Sequence, residues 1–238
     1  MAERPDQVSA FPELLADALR RDAGRPLVTF YDHASGERVE LSVASYANWV
    51  AKTANLMDDE FDVERGDDLV VDLPTHWLGP VVLGAAWSLG ARAASSSAVP
   101  RLVVCGPAGV DTVRSAPVLA ISLRPWGGRF ADPLPPGVTD FAEVTLGQPD
   151  VFVADEPAEA GDPAYDDLTQ GALIAAGSAL MGDGGRLMTD LNPCSVAGAH
   201  TLPAAVVASG GAVWVSRPDP ERWAETAAAE RATVQLRS

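Results

Sequence analysis

Residues 64–91, ERGDDLVVDLPTHWLGPVVLGAAWSLGA, read as one turn, one buried strand and one buried helix. Arg65-Gly66-Asp67-Asp68 is turn-like, and Leu69-Val70-Val71-Asp72-Leu73 is an apolar run of strand length that Pro74 stops. From about residue 77 to 89, apolar side chains occupy nearly every side of a helical wheel, so this helix is expected to be packed all round. Gly90 supplies its stop. A buried strand followed by a buried helix is the unit of a parallel sheet, because parallel neighbours need a crossover connection.

The rest of the chain extends this pattern. Upstream, Ser9 is placed to cap a helix with Pro12 in its first turn and Leu14, Leu15, Ala18 and Leu19 on one face. Residues 27–31 and 38–41 read as paired strands around the turn 32–36. Ser42 then caps a helix whose apolar face includes Tyr46, Trp49, Val50, Thr53, Leu56 and Met57. Downstream, short apolar runs near 91–94, 102–105 and 118–123 alternate with turn-rich connectors, and Pro- and Gly-rich 125–147 is expected to be irregular. Residues 151–153 are expected to form a short strand before an acidic stretch. Thr169 caps a helix to about residue 181, followed by strand 186–189, a helix around 196–208, strand 212–216, a helix over 219–231 and a closing run at 233–236. The expected class is α/β, with mostly parallel, helix-covered sheets.

The chain has 238 residues, 47% of them hydrophobic, enough for one structural unit of two lobes. Its 17 basic and 33 acidic residues give a net charge of −16, and Lys52 is the single lysine. Such a surface repels phosphate backbones and anionic headgroups, which argues against nucleic acid or membrane as partner. No apolar run reaches the ~18 residues of a membrane span. Residues 1–10 are polar and lack the apolar stretch of a secretion signal, so a cytoplasmic protein is expected. Cys105 and Cys194 have no CxxC spacing and read as reduced thiols, with no metal site implied.

Several stretches, in order, resemble the adenylate-forming superfamily of acyl-CoA synthetases, nonribosomal adenylation domains and luciferases. They are Ser45-Tyr46-Ala47-Asn48-Trp49, Arg65-Gly66-Asp67-Asp68-Leu69-Val70 and Ala85-Ala86-Trp87-Ser88-Leu89-Gly90-Ala91. Leu168-Thr169-Gln170-Gly171-Ala172-Leu173 is similar to the helix start that follows the family's phosphate loop. Leu191-Asn192-Pro193-Cys194-Ser195-Val196-Ala197-Gly198 is similar to its substrate-pocket stretch, and Gly210–Val215 with Asp219-Pro220-Glu221 to a later strand and helix. The resemblance corresponds to roughly the first half of such an enzyme. It implies two lobes, residues 1–58 plus 186–238 and residues 59–185. A composition rich in Ala and Arg is of actinobacterial type and suggests a short, half-length branch.

Adenylation depends on positioning and charge neutralisation around phosphates. The family's loop does this with glycines, hydroxyls and a lysine. Here the corresponding residues, 154–167, carry Asp155, Glu156, Glu159, Asp162, Asp166 and Asp167, with no Lys, Arg, Ser or Thr. The family's adenine-stacking aromatic, ribose-binding Asp and catalytic Lys come from later sequence than this chain contains. Adenylation by this chain alone, and a nucleotide cofactor, are therefore not expected.

Other chemistry is thin. Cys194, Ser195, Gly198 and His200 form the candidate ligand-binding stretch, where the family's aromatic-His pair falls on Cys194 and Ser195. Two small residues leave either an open acyl cavity or one filled by neighbours, the latter favoured. A Cys-His or Ser-His pair with His200 lacks an evident orienting acid, so a packed or capping histidine is preferred. His33 and His76 read as surface or cap, and Trp126 as core rather than contact surface. Gly182-Asp183-Gly184-Gly185 reads as helix termination, and 105–109 as an α/β turn that could open a helix. The leading expectation is a non-catalytic binding or assembly protein that forms a homo-oligomer or takes a protein partner. The alternatives are a carboxylate- or acyl-binding enzyme or sensor, and a ligase subunit completed by another chain.

Overall fold

The computed structural model describes residues 9–112, 114–182 and 184–238. Met1 to Val8 of the polar N-terminal stretch, Val113, and Asp183 of the glycine cluster lie outside them. In chain order the elements are α1 (Phe11–Asp22), β1 (Pro26–Asp32), β2 (Arg38–Ser42), α2 (Val43–Phe61), β3 (Asp68–Asp72), α3 (Leu78–Ser88), β4 (Arg92–Ala94) and β5 (Leu102–Cys105). There follow β6 (Val118–Ala120), β7 (Val138–Asp140), α4 (Phe141–Val144), β8 (Pro163–Tyr165), β9 (Leu168–Thr169) and α5 (Gln170–Leu180). The chain finishes with β10 (Leu187–Thr189), α6 (Thr201–Val207), β11 (Ala212–Ser216), α7 (Pro220–Ala229) and β12 (Val234–Leu236).

Two sheets result, ordered β12-β10-β11-β1-β2 and β7-β6-β5-β3-β4-β8-β9. Each is parallel except for one antiparallel pair at its edge, β1–β2 and β8–β9. The α/β class with mostly parallel, helix-covered sheets is what the strand–helix alternation demands. Helices α2 and α3 pack together between the sheets, with α1 against both. One hydrophobic core runs through both sheets and includes Trp77, Trp87 and Trp214, all but fully buried. Gln170 is the polar tie in this core: its Oε1 accepts from Phe11 N at 2.8 Å and its Nε2 donates to Trp87 O at 2.9 Å, satisfying both ends of a buried amide. No helix among the described residues is long and apolar enough to cross a membrane.

Two caps hold as read: Ser42 Oγ accepts from Ser45 N, and Thr169 Oγ1 from Ala172 N. The structure adds a third, Asp219 Oδ1 accepting from Glu221 N at the start of α7. Elsewhere the structure corrects the reading. Ala10, not Ser9, is the N-cap of α1, and no side chain caps it. Residues 151–153 are not a strand, because the carbonyls of Pro149 and Val151 accept from Asn55 Nδ2 rather than from a neighbouring strand. Residues 125–147 are not wholly irregular: β7 pairs with β6 there, and α4 follows. The helix expected from 196 begins only at Thr201, after a run of turns. Residues 107–109 form a single 3₁₀ turn, not a helix.

Two histidines are also not at the surface. His33 is buried, with Nδ1 accepting from Asp219 N at 3.0 Å and Nε2 donating to Thr226 Oγ1 at 3.0 Å, because α7 docks on the hairpin turn. His76 is buried between Phe30 and Trp77. Trp126, expected in the core, is 79% exposed.

Candidate functional site

The carboxyl ends of β3, β4, β8 and β10 converge on one cleft of about 600 Å³. This is where open parallel sheets place ligands, since loops leaving neighbouring strands diverge there. Asn192, just past β10, ties the two sheets across it: its Nδ2 donates to Leu73 O at 2.7 Å and its Oδ1 accepts from Cys194 N at 3.0 Å. Tyr165 OH donates to Cys194 O at 2.7 Å, fixing the far wall. Arg114 brings a cation to the lining, donating to Gly109 O at 3.0 Å and standing 3.6 Å from Asp72. A hollow of about 340 Å³ adjoins through Val70, Ser95 and Arg114, and adds Ser96, Ser97 and Ser115.

Of the four candidate residues, Cys194 and Ser195 line this cleft, whereas Gly198 and His200 are not in its lining. All four sit in one compact turn. Ser195 Oγ donates to Asn192 O at 2.7 Å and accepts from Gly198 N at 3.2 Å. Gly198 allows the closure, because an added Cβ would collide with the Asn192 carbonyl. His200 occupies the N-cap position of α6, and burial lowers its pKa. Burial also pushes the Cys194 thiol up to about 12, so it is a protonated packing group and not a nucleophile. Arg114, Tyr165 and Asn192 escaped sequence reasoning; the position of Asn192 at a strand's carboxyl end was the available signal.

Residues 154–167 do not form one loop. Strands β8 and β9 make an antiparallel hairpin, Pro163 opposite Thr169 and Tyr165 opposite Leu168, closed by Asp166-Asp167 alone. Asp166 is left-handed at φ +45°, its N–H donates to Ala93 O at 3.0 Å, and its carboxylate accepts from Ser95 N at 3.0 Å. Asp162, 8% exposed, is gripped by Arg65 at 2.7 Å and also accepts from Glu159 N at 2.8 Å. Glu159 also reaches Arg65, at 3.2 Å. Asp155 and Glu156 face Asp58 and Glu64 across a cavity of about 520 Å³. Burial first, then Asp59 and Asp155, raise the Asp58 carboxyl above its usual range.

No family model matches the chain. Among solved structures, an acyl-CoA synthetase from Brucella canis superposes on all of the chain and 48% of its own length, with TM-score 0.75 and 14% identity. Apo MatB from Rhodopseudomonas palustris covers 97% of the chain and 49% of its own length, at TM-score 0.73 and 16% identity. Acetoacetyl-CoA synthetase from Streptomyces lividans covers 96% and 42%, at TM-score 0.73 and 15% identity. The fold is thus that of adenylate-forming synthetases, and the chain spans about half the length of those it matches. A TIGR03089 family protein of Mycobacterium tuberculosis (strain ATCC 25618 / H37Rv) is 34% identical over 238 residues, covering 94% of this chain and 96% of that protein. At that identity and near end-to-end coverage, the chain belongs to the TIGR03089 family.

Proposed function

We propose that the chain is a non-catalytic relative of the adenylate-forming enzymes that acts by binding and assembly. The observation that carries this reading is the two-residue turn Asp166-Asp167, directly ahead of the Leu168-Thr169-Gln170 helix start. A phosphate cradle needs a run of free N–H groups and a cation. Here the Asp166 N–H is already bonded, and two carboxylates occupy the turn. Each like charge near a phosphate opposes binding by about 1 kcal/mol or more at intermediate dielectric. In this reading the lobes are residues 1–58 plus 186–238 and residues 59–185, and the working place is the cytoplasm. Calorimetry with Mg-ATP, alongside pyrophosphate exchange with a panel of carboxylic acids, tests it. No binding heat and no exchange are expected. Micromolar ATP affinity that disappears when 155–167 are altered would end the proposal.

Arg114 in the strand-end cleft favours a second reading, a site for a carboxylate or acyl ligand. The carboxylate would sit on Arg114 and Ser95, and the chain along Val70 and Val196. A thermal-shift screen of fatty, aryl and amino acids should then find one stabilising class. Ser195→Trp should abolish that stabilisation by filling the cleft. If the chain is instead one subunit of a ligase, adenylate forms only after the partner chain is added.

A further inference from the structure

We propose that the chain associates head to tail with a second copy of itself, Trp126 of one copy seated in the groove between α1 and α2 of the next; this rests on the assembly reading and names its two surfaces. Trp126 is 79% exposed and holds φ +62°, a left-handed conformation that is a true outlier for a bulky residue. Leu123 at φ +55° and Gly127 at φ +68° turn the same way. The loop is pinned at its base. Ser122 Oγ donates to Gly128 O and accepts from Arg124 N, and Arg124 and Gly128 pair as a β-bridge. Gly127 lies against the Trp77 ring, 3.3 Å from where a Cβ would stand. A strained, well-tied loop that holds an indole in water gains nothing for folding, and an occupied partner site accounts for it.

The complementary surface is apolar with an acidic rim. A groove of about 570 Å³ lies between α1, α2 and residues 150–158, floored by Leu15, Leu19, Ala47 and Ala51. Val151 and Val153 stand 72% and 82% exposed along it. Glu13 lines it, and Asp155 and Glu156 follow directly on its wall residue Ala154. The Trp126 loop carries the opposite charge. Arg124 donates to the Arg129 carbonyl at 3.3 Å, and Arg129 reaches Glu143 at 3.6 Å with both side chains over 60% exposed. Two arginines beside an indole, on a chain of net charge −16, match an apolar groove edged by carboxylates. The two surfaces are different patches, so the contact is heterologous and builds rings or open chains rather than a two-fold dimer. One aromatic anchor buries about 150–250 Å², far below the ~1,600 Å² of a stable interface, so the association is concentration-dependent and salt-sensitive.

Sedimentation velocity on the whole chain, up to near-millimolar concentration, tests this with two variants. Trp126→Ala removes the knob, and the double change Val151→Lys, Val153→Lys spoils the groove; all three positions are exposed, so circular dichroism melts should match the wild type. The wild type should rise above monomer mass with concentration, and each variant should stay monomeric. An equimolar mixture of the two variants should form a species of twice the monomer mass and nothing larger, since one good knob and one good groove remain. Wild-type assembly that survives either variant, or a mixture that stays monomeric, overturns the proposed surfaces while leaving self-association itself standing. A wild type that is monomeric throughout overturns self-association as well.

Discussion

His76 should make the protein acid-sensitive in a way that one substitution removes. The ring lies between Phe30 and Trp77, 3% exposed, with Nδ1 accepting from Leu78 N at 3.3 Å and Nε2 without a partner among the described residues. Burial pushes its pKa from 6.5 down to about 4, and Asp32 offsets this only in part. Between those values the unfolded chain binds a proton that the folded chain refuses. Stability from this site is therefore complete above pH 6.5, declines as pH falls, and is gone below about pH 4. At about 1.4 kcal/mol per pH unit, the full loss is about 3 kcal/mol, most of it spent by pH 4.5. His76→Asn keeps an acceptor for Leu78 N but cannot titrate. Urea unfolding of both proteins at intervals from pH 7.5 to 4.5 should show the gap between them closing or reversing by roughly 2–3 kcal/mol. Carboxylates titrate in both and cancel. Parallel stability curves would refute the reasoning, because a buried neutral imidazole cannot lack that slope.

Three further outcomes follow from packing and charge. Gly177→Ala should cost roughly 2–3 kcal/mol in urea unfolding, because the new Cβ would stand 2.5 Å from Ala204 N where α5 meets α6. Glu230→Ala should cost about 3 kcal/mol, since Glu230 binds Arg186 at 2.6 Å, Arg38 at 2.8 Å and Tyr31 OH at 2.7 Å, and its loss leaves Arg186, at 13% exposure, with Glu40 at 3.9 Å as its nearest carboxylate. Glu230→Gln, which keeps the shape, should cost less. Cys194 should resist iodoacetamide in the native protein at pH 8 and react on unfolding, as peptide mass mapping would show; rapid native labelling contradicts a thiol pushed up to about 12.

What the sequence displayed was local chemistry repeated over enough residues to be unambiguous. The Ser42 and Thr169 caps, the β1–β2 hairpin and the all-apolar α3 each follow from side chains within one or two turns. What it concealed depends on distant partners. Strand β7 is three half-buried residues after Pro135-Pro136-Gly137, and it is a strand because β6 lies beside it. Residues 151–153 have strand propensity, but Asn55 takes the Val151 carbonyl. His33 looks like a turn residue until α7 arrives on it, 186 positions later in sequence at Asp219. The candidate site was half legible. Cys194 and Ser195 reach the cleft, but its cation, Arg114, and its tie, Asn192, became visible only once the strand ends of the two sheets were brought together.

The carboxylates of residues 155–167 are more than surface charge, because two of them are structural parts. Asp162 holds Arg65 and the Glu159 N–H, and Gly90 is glycine where a Cβ would stand 2.8 Å from Arg65 and 3.1 Å from Asp162. Asp166 fastens Ser95 to the β8–β9 turn. Reversing charge there would not by itself build a phosphate cradle: Asp166→Lys frees Ser95, places a cation at the turn and still offers a triphosphate no run of free N–H groups. Asp166→Lys should therefore lower the melting temperature without creating measurable ATP affinity. Only a longer segment between Tyr165 and Leu168, with glycines to let the backbone approach, could do so. If Asp166→Lys alone produced ATP binding by calorimetry, then charge rather than backbone geometry is what keeps nucleotide out, and the hairpin is a lesser obstacle than its hydrogen bonds imply.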